Sequence, residues 1–150
     1  MDTAKITNKT AMRTKIIVAV ADSPHAAQIA RQGFALAREL EAVVCLFCVV
    51  DDAGVIGEGV YTSQDVRHSM FESAEHTLLK IQSEAGYVEC HTMLLPGNPA
   101  ETLGRICQQQ QPSYVVIGAR RHEGFVHRLT SRIAEHLVDT LPCPLILVPC

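Results

Sequence analysis

The stretch KIIVAVA, residues 15–21, decides the fold class of this chain, because it is a nearly continuous apolar run that contains β-branched residues. Such a run predicts a strand that is buried on both faces. Asp22, Ser23 and Pro24 follow, and we expect Ser23 to cap a helix whose first position is Pro24. Apolar residues then recur at helical spacing to about Glu41. A strand that passes directly into an amphipathic helix predicts the start of a βαβ unit.

The rest of the chain continues this alternation. Further strands are predicted at 43–50, 88–95, 114–117 and 145–148, and further helices at about 62–84, from Asn98 to about 110, and after residue 126. Five strands and four helices predict a three-layer α/β/α sandwich with a five-stranded parallel, doubly wound, Rossmann-like sheet. Ligands of such sheets bind beyond the carboxyl ends of the strands, so the expected site lies in the loops after Val20, Val50 and Ile117.

Length, composition and charge restrict the function classes. The chain has 150 residues, of which 47% are apolar, and this suits one domain with its own core. We expect that domain at 14–150, after a flexible N-terminal leader at 1–13. The formal net charge of −3 argues against general nucleic-acid binding, and no stretch reaches the roughly 20 apolar residues that span a bilayer. A cytoplasmic protein without nucleic-acid or membrane partners is expected.

Six cysteines raise the question of a metal or redox site. Cys45 and Cys48 have the spacing of a redox or zinc motif, but an odd separation along a strand sends the two side chains to opposite faces. We therefore predict reduced cysteines that pack as small hydrophobic residues, and no metal site. Cys150 is the exception, because a thiol on the last residue is expected to be exposed and prone to oxidation.

The clearest chemical candidate is the segment from Gly118 to Arg132. A glycine at a strand end and free amides at a helix start favour phosphate, and positive charge comes from Arg120, Arg121, Arg128 and Arg132. The alternative is a solvated basic loop whose arginines pair with the chain's own carboxylates. The histidines and glutamate at 122, 123 and 127 have no nucleophile near them in the sequence, so no catalytic residue is predicted.

Five segments occur in a recognisable order. They are 16–20 with an Asp-Ser turn, Val49-Val50-Asp51, Gly97-x-Pro99, Val115-Val116-Ile117-Gly118 and the ending 142–149 (PCPLILVP). In this order and spacing, residues 14–150 resemble the universal stress protein (UspA) family. The resemblance implies a fold like that of the adenine nucleotide alpha hydrolases and a role in the stress response.

The resemblance also assigns site residues. Nucleotide-binding members carry Gly-x-x-Gly, nine residues, then Gly-Ser or Gly-Thr, and the register on Gly118 places Arg121, Ser131 and Arg132 at the other three positions. The family aspartate for the adenosine end corresponds to Ala21, with Asp22 one residue displaced. The expected binding residues are therefore eight: Ala21, Asp22, Val49, Gly118, Arg120, Arg121, Ser131 and Arg132. Because an arginine at 121 crowds the space that glycine leaves for a phosphate, backbone cradling is compromised, and arginine side chains are expected to bind the anion instead.

The apolar strand Leu145 to Val148 would be prone to aggregation if it lay uncovered at the edge of the sheet. The resemblance implies a homodimer formed through this strand. The alternative is that residues 1–13 cover this edge within the monomer.

Three functions remain open. The first is a homodimeric stress-response binding module for a small anionic ligand or a protein partner, without efficient turnover. The second is a member that binds ATP or AMP with magnesium and hydrolyses or transfers phosphate slowly. The third is a structural dimer without a ligand.

Overall fold

A computed structural model describes residues 13–52, 63–119 and 136–150. The strands are β1 (Lys15–Ala19), β2 (Val43–Val50), β3 (Cys90–Pro96), β4 (Tyr114–Ala119) and β5 (Leu145–Pro149). The helices are α1 (Ala26–Leu40), α2 (Ser63–Gln82) and α3 (Pro99–Gln110), and residues 136–140 are also helical. The predicted alternation of strands and helices is confirmed.

All five strands belong to one parallel sheet in the order β3-β2-β1-β4-β5. The chain moves outward from β1 to β2 and β3 and then returns to the other side of β1 for β4 and β5. The direction of winding therefore changes between β1 and β4. In open parallel sheets this switch point is where the loops diverge and leave a crevice for a ligand.

Two apolar clusters cover the two faces of the sheet, which makes the molecule a three-layer sandwich. On one face Val18 of β1 packs with Phe34 of α1 and Leu78 of α2. On the other face Ile17 belongs to a cluster with Leu103 of α3 and with Leu137. Because successive strand residues alternate between faces, Ile17 and Val18 are both fully buried, as the continuous apolar run predicted.

The helix starts agree with the prediction at α3 and differ from it at α1. At α3 the Asn98 side chain accepts a hydrogen bond from the Glu101 amide at 3.1 Å, and Pro99 takes the first helical position, as expected. The prediction for α1 is wrong, because the N-cap is His25 and makes no side-chain cap bond. The Ser23 hydroxyl instead accepts from the His25 amide at 3.3 Å, so Ser23 stabilises the turn before the helix.

Within the described ranges, no helix combines the length and the apolar content required to cross a membrane. Of the expected leader, only Arg13 lies within those ranges, and its guanidinium is 3.5 Å from the Glu89 carboxylate. The rest of the leader, residues 1–12, lies outside the described part of the chain.

Candidate functional site

A cleft of about 290 Å³ lies at the carboxyl edge of the sheet, at the switch point between β1 and β4. Its walls come from the ends of the three central strands, from the starts of α1 and α3, and from the residue after β5. The described residues that line it are Ala19, Val20, Ala21, Ser23, His25, Ile29, Phe47, Val49, Pro99, Leu103, Ile117, Gly118 and Cys150. The lining is mostly apolar with a few polar groups, which is typical of small-molecule sites.

Two helix N-termini meet at this cleft. His25, the N-cap of α1, and Pro99, the first residue of α3, both line it. The first amides of a helix lack partners within the helix and carry the positive end of its dipole. The cleft therefore combines an apolar floor with a rim that favours a negatively charged group.

Gly118 sets the width of the cleft on the β4 side. A Cβ atom at this position would lie 2.4 Å from Cδ1 of Ile29 and 3.5 Å from the Cys150 sulfur. Residue 118 has no side chain, and the side chains of Ile29 and Cys150 can therefore pack close to the β4 backbone. This contact is a packing reason for a glycine here, apart from any contact between the backbone and a ligand.

The structure brings three of the eight predicted binding residues together. Ala21, Val49 and Gly118 all line the cleft. Four others, Arg120, Arg121, Ser131 and Arg132, lie in the segment 120–135, outside the described residues. Their part in binding an anion stays a prediction.

Asp22 lies beside a different cavity. This second space, of about 1030 Å³, is lined by Asp22 together with residues of β2 and α2. One carboxylate oxygen of Asp22 accepts a hydrogen bond from Ser73 at 2.6 Å, and the other accepts from Thr77 at 2.7 Å. The Asp22 side chain therefore connects the end of β1 to α2.

Sequence reasoning missed part of the cleft lining. It assigned no role there to Ile29, Leu103 or Cys150. Cys150 is only partly exposed, and its amide donates to the carbonyl oxygen of Ala119 at 3.0 Å. The parallel pairing of β5 with β4 was the signal for Cys150, because it brings the residue after β5 level with the end of β4.

All six cysteines are free thiols. Cys45 and Cys48 belong to the clusters on opposite faces of the sheet, as their spacing predicted. Burial raises the pKa of Cys48 to about 11, with the nearby Asp22 charge as the next cause, and burial raises the pKa of Cys107 to about 12. Because the thiolate is the reactive form, these two side chains are poor nucleophiles near neutral pH. Among the residues that the structure describes, no group of three histidine, cysteine or acidic side chains is placed to hold a metal ion.

Comparisons with known proteins agree with this architecture. Universal stress protein C from Escherichia coli strain K12 is 26% identical over 136 residues, which cover 88% of this chain and 96% of that protein. The universal stress protein UspA from Lactobacillus plantarum has the same fold, with a TM-score of 0.74, 20% identity, and coverage of 90% of this chain and 97% of that chain. A universal stress protein family protein from Arabidopsis thaliana with AMP bound gives a TM-score of 0.63 and 18% identity, and 91% of each chain is covered.

The model of the universal stress protein family matches residues 12–149. This range includes all five strands, every described residue of the cleft lining except Cys150, and the segment that carries the arginines. The chain belongs to the universal stress protein family.

Proposed function

We propose that this protein is a stress-response binding module that holds a small anionic ligand, a nucleoside monophosphate of the AMP class, and releases it without efficient turnover. The cleft at the switch point carries this proposal, because it is preformed, apolar on its floor and next to two helix N-termini. A volume of about 290 Å³ lies at the small end of the usual range for ligand pockets, which suits a small ligand. The fold neighbour from Arabidopsis thaliana with AMP bound supports the same ligand class.

The charges at the cleft favour an anion over a neutral ligand. The N-termini of α1 and α3 place partial positive charge at its rim. The segment with Arg120, Arg121 and Arg132 follows Ala119 directly in the sequence, and Gly118 lines the cleft. We propose that these arginines bind the phosphate through their side chains, in place of the glycine cradle that Arg121 interrupts.

The side-chain chemistry of the described lining supports the proposed lack of efficient turnover. Among the described lining residues, only His25 and Cys150 have titratable side chains, and none is a carboxylate. Holding a magnesium ion on a phosphate usually takes one or two carboxylates. A general base must also lie within hydrogen-bonding distance of the attacking water. The described walls of the cleft offer His25 as a candidate base but no carboxylate side chain to hold a metal ion, so they favour retention of a nucleotide over its hydrolysis.

Isothermal titration of AMP, ADP and ATP, with and without magnesium, tests the proposal. We expect saturable binding of AMP at one site per chain, weaker binding at higher ionic strength, and no phosphate release above background. Val49→Trp should fill the cleft and weaken binding at least about tenfold. The control is Val138→Trp, since Val138 is 67% exposed and does not line the cleft. If AMP does not bind, or binds equally well to Val49→Trp, the cleft is not the ligand site.

We further propose that the protein acts as a homodimer through β5. This strand pairs with β4 on one side, and within the described residues its other edge has no partner strand. Leu147 is 48% exposed, and a groove runs between this strand and α1. Light scattering after size exclusion should give the mass of two chains, and Leu147→Lys should give one. Leu79→Lys is the control, because Leu79 is 52% exposed on α2, and a dimer that survives Leu147→Lys contradicts the proposed interface.

A further inference from the structure

The turn between β1 and α1, from Ala21 to His25, forms one wall of the ligand cleft. Ala21, Ser23 and His25 line the cleft from this turn. Apolar packing contributes little to the position of the turn, because Ala21, Asp22 and Pro24 are exposed. The bond from the His25 amide to the Ser23 hydroxyl lies within the turn, and the His25 side chain makes no cap bond to α1. The position of this wall therefore depends on polar contacts between the turn and other elements.

Asp22 supplies such a contact, because its side chain bonds to α2. One carboxylate oxygen accepts a hydrogen bond from Ser73 at 2.6 Å, and the other accepts from Thr77 at 2.7 Å. The residues that follow these donors on α2, Ala74 and Leu78, are 1% and 2% exposed and belong to the core cluster on that face of the sheet. The two hydrogen bonds therefore join an exposed turn to a helix whose position is determined by the core.

These hydrogen bonds can affect ligand binding although the Asp22 side chain lies outside the cleft. Asp22 lines the cavity beside α2, whereas its neighbours Ala21 and Ser23 line the cleft. Resting on the function proposed above, we infer that Asp22, Ser73 and Thr77 form a tether that positions the wall of the cleft, and with it the N-terminus of α1, for an anionic ligand. Asp22 is in this sense a positioning residue, and the tether consists of its two hydrogen bonds to α2.

The tether and the charge of Asp22 act on an anionic ligand with opposite signs. Asp22 is next to two residues that line the cleft, so its negative charge alone disfavours an anion, and removing that charge would strengthen binding. The tether predicts the reverse. Without it the turn is less well ordered before binding, and the cost of ordering it is then subtracted from the binding free energy. The direction of the change in affinity therefore distinguishes the two effects.

Titration of the full chain with AMP, well below the unfolding temperature, tests this inference. Asp22→Ala should weaken binding about tenfold although it removes a negative charge, and Ser73→Ala and Thr77→Val should each weaken it about threefold. Thr77→Ser keeps the hydroxyl and should bind like the unmodified chain. In the Asp22→Ala background, Ser73→Ala should have no further effect. Ser69→Ala is the matched control, since Ser69 lies one helical turn before Ser73 and lines the same cavity.

Hydrogen exchange tests the tether without a ligand. The amides of His25 and Ala26 donate to the Ser23 hydroxyl and carbonyl oxygens, at 3.3 and 3.2 Å, so their exchange reports on opening of the turn. Ser73→Ala and Thr77→Val should speed exchange at these two amides and leave the amides of β1 unchanged. Thr77→Ser and the Ser69→Ala control should leave all of these rates unchanged.

The outcomes separate the tether from the function on which it rests. Tighter binding of AMP to Asp22→Ala, or unchanged binding to both Ser73→Ala and Thr77→Val, overturns the tether and leaves the nucleotide site in place. If the unmodified chain does not bind AMP, the proposed function fails, and the exchange rates alone decide the role of the tether. Equal rates at His25 and Ala26 in all variants then overturn it as well.

Discussion

Gly33 lies in the middle of α1, where it allows this helix to pack closely onto the central strand of the sheet. A Cβ atom at position 33 would lie 2.4 Å from Cγ2 of Val18. Val18 is fully buried, and β1 is paired with β2 on one side and β4 on the other, so neither the side chain nor the strand has room to move away. Gly33→Ala should therefore destabilise the protein, although alanine is the better helix former.

The magnitude follows from two opposing terms. Replacing a glycine with alanine in a helix interior favours folding by about 1 kcal/mol. Adding a methyl group to a tightly packed core costs about 1–3 kcal/mol, and the short contact between rigid elements places this site near the upper end of that range. The expected net loss in the free energy of unfolding is about 2 kcal/mol.

Urea unfolding followed by circular dichroism measures this loss. Gly104→Ala in α3 is the matched control, because the nearest atom to its added Cβ is 3.9 Å away, and it should stabilise the protein by up to about 1 kcal/mol. In the double variant Val18→Ala/Gly33→Ala the new methyl group occupies vacated space, so it should be no less stable than Val18→Ala alone. A Gly33→Ala protein as stable as the unmodified chain would refute the reasoning.

Three other predictions concern the cleft, a helix cap and a buried thiol. Gly118→Ala should push Ile29 into the cleft and weaken AMP binding about tenfold in a titration, and Ile29→Val should recover part of the loss; unchanged binding would show that Ile29 moves elsewhere. Asn98→Ala should lower the free energy of unfolding by about 1 kcal/mol, and Asn98→Asp should keep most of it, so equal losses in both would contradict the cap. Burial raises the pKa of Cys107 from 9.0 to about 12, so unfolding releases a proton between these values, and stability should fall as the pH rises above 9. The fall between pH 8 and pH 10 should be smaller in Cys107→Ala, and an equal fall would exclude Cys107 as its source.

The order of elements could be predicted from the sequence because each strand is a short apolar run and each helix has apolar residues that recur at helical spacing. The Asn98 cap could also be predicted, because it depends only on neighbouring residues. Asn98 caps the helix, Pro99 takes its first position, and the Glu101 amide donates to the cap. The start of α1 was predicted wrongly because Ser23 and Pro24 also suit a turn, and the Ser23 hydroxyl bonds to the His25 amide before the helix begins. The two hydrogen bonds from α2 to Asp22 could not be predicted from local sequence, because their donors Ser73 and Thr77 lie 51 and 55 residues away.

The candidate site was predictable to the extent that it depends on topology. A parallel sheet brings the ends of its strands to one edge, so the loops after β1, β2 and β4 had to meet, and Ala21, Val49 and Gly118 do line one cleft. Which side chains turn into that cleft is a finer question. Ile29 and Cys150 enter it because α1 and β5 pack against the glycine at 118, and this packing leaves no pattern in the sequence.

The position of Asp22 assigns its carboxylate to the contact between the end of β1 and α2, and not to the cleft that Ala21 lines. At position 22 it holds α2 through two short hydrogen bonds and leaves the cleft with an alanine wall. In the proposed site, affinity for the phosphate depends on the helix N-termini and on the arginine segment, and such electrostatic contacts weaken as the salt concentration rises. Raising the ionic strength should therefore weaken the binding of AMP in a titration. An affinity for AMP that did not change with salt would contradict this electrostatic contribution.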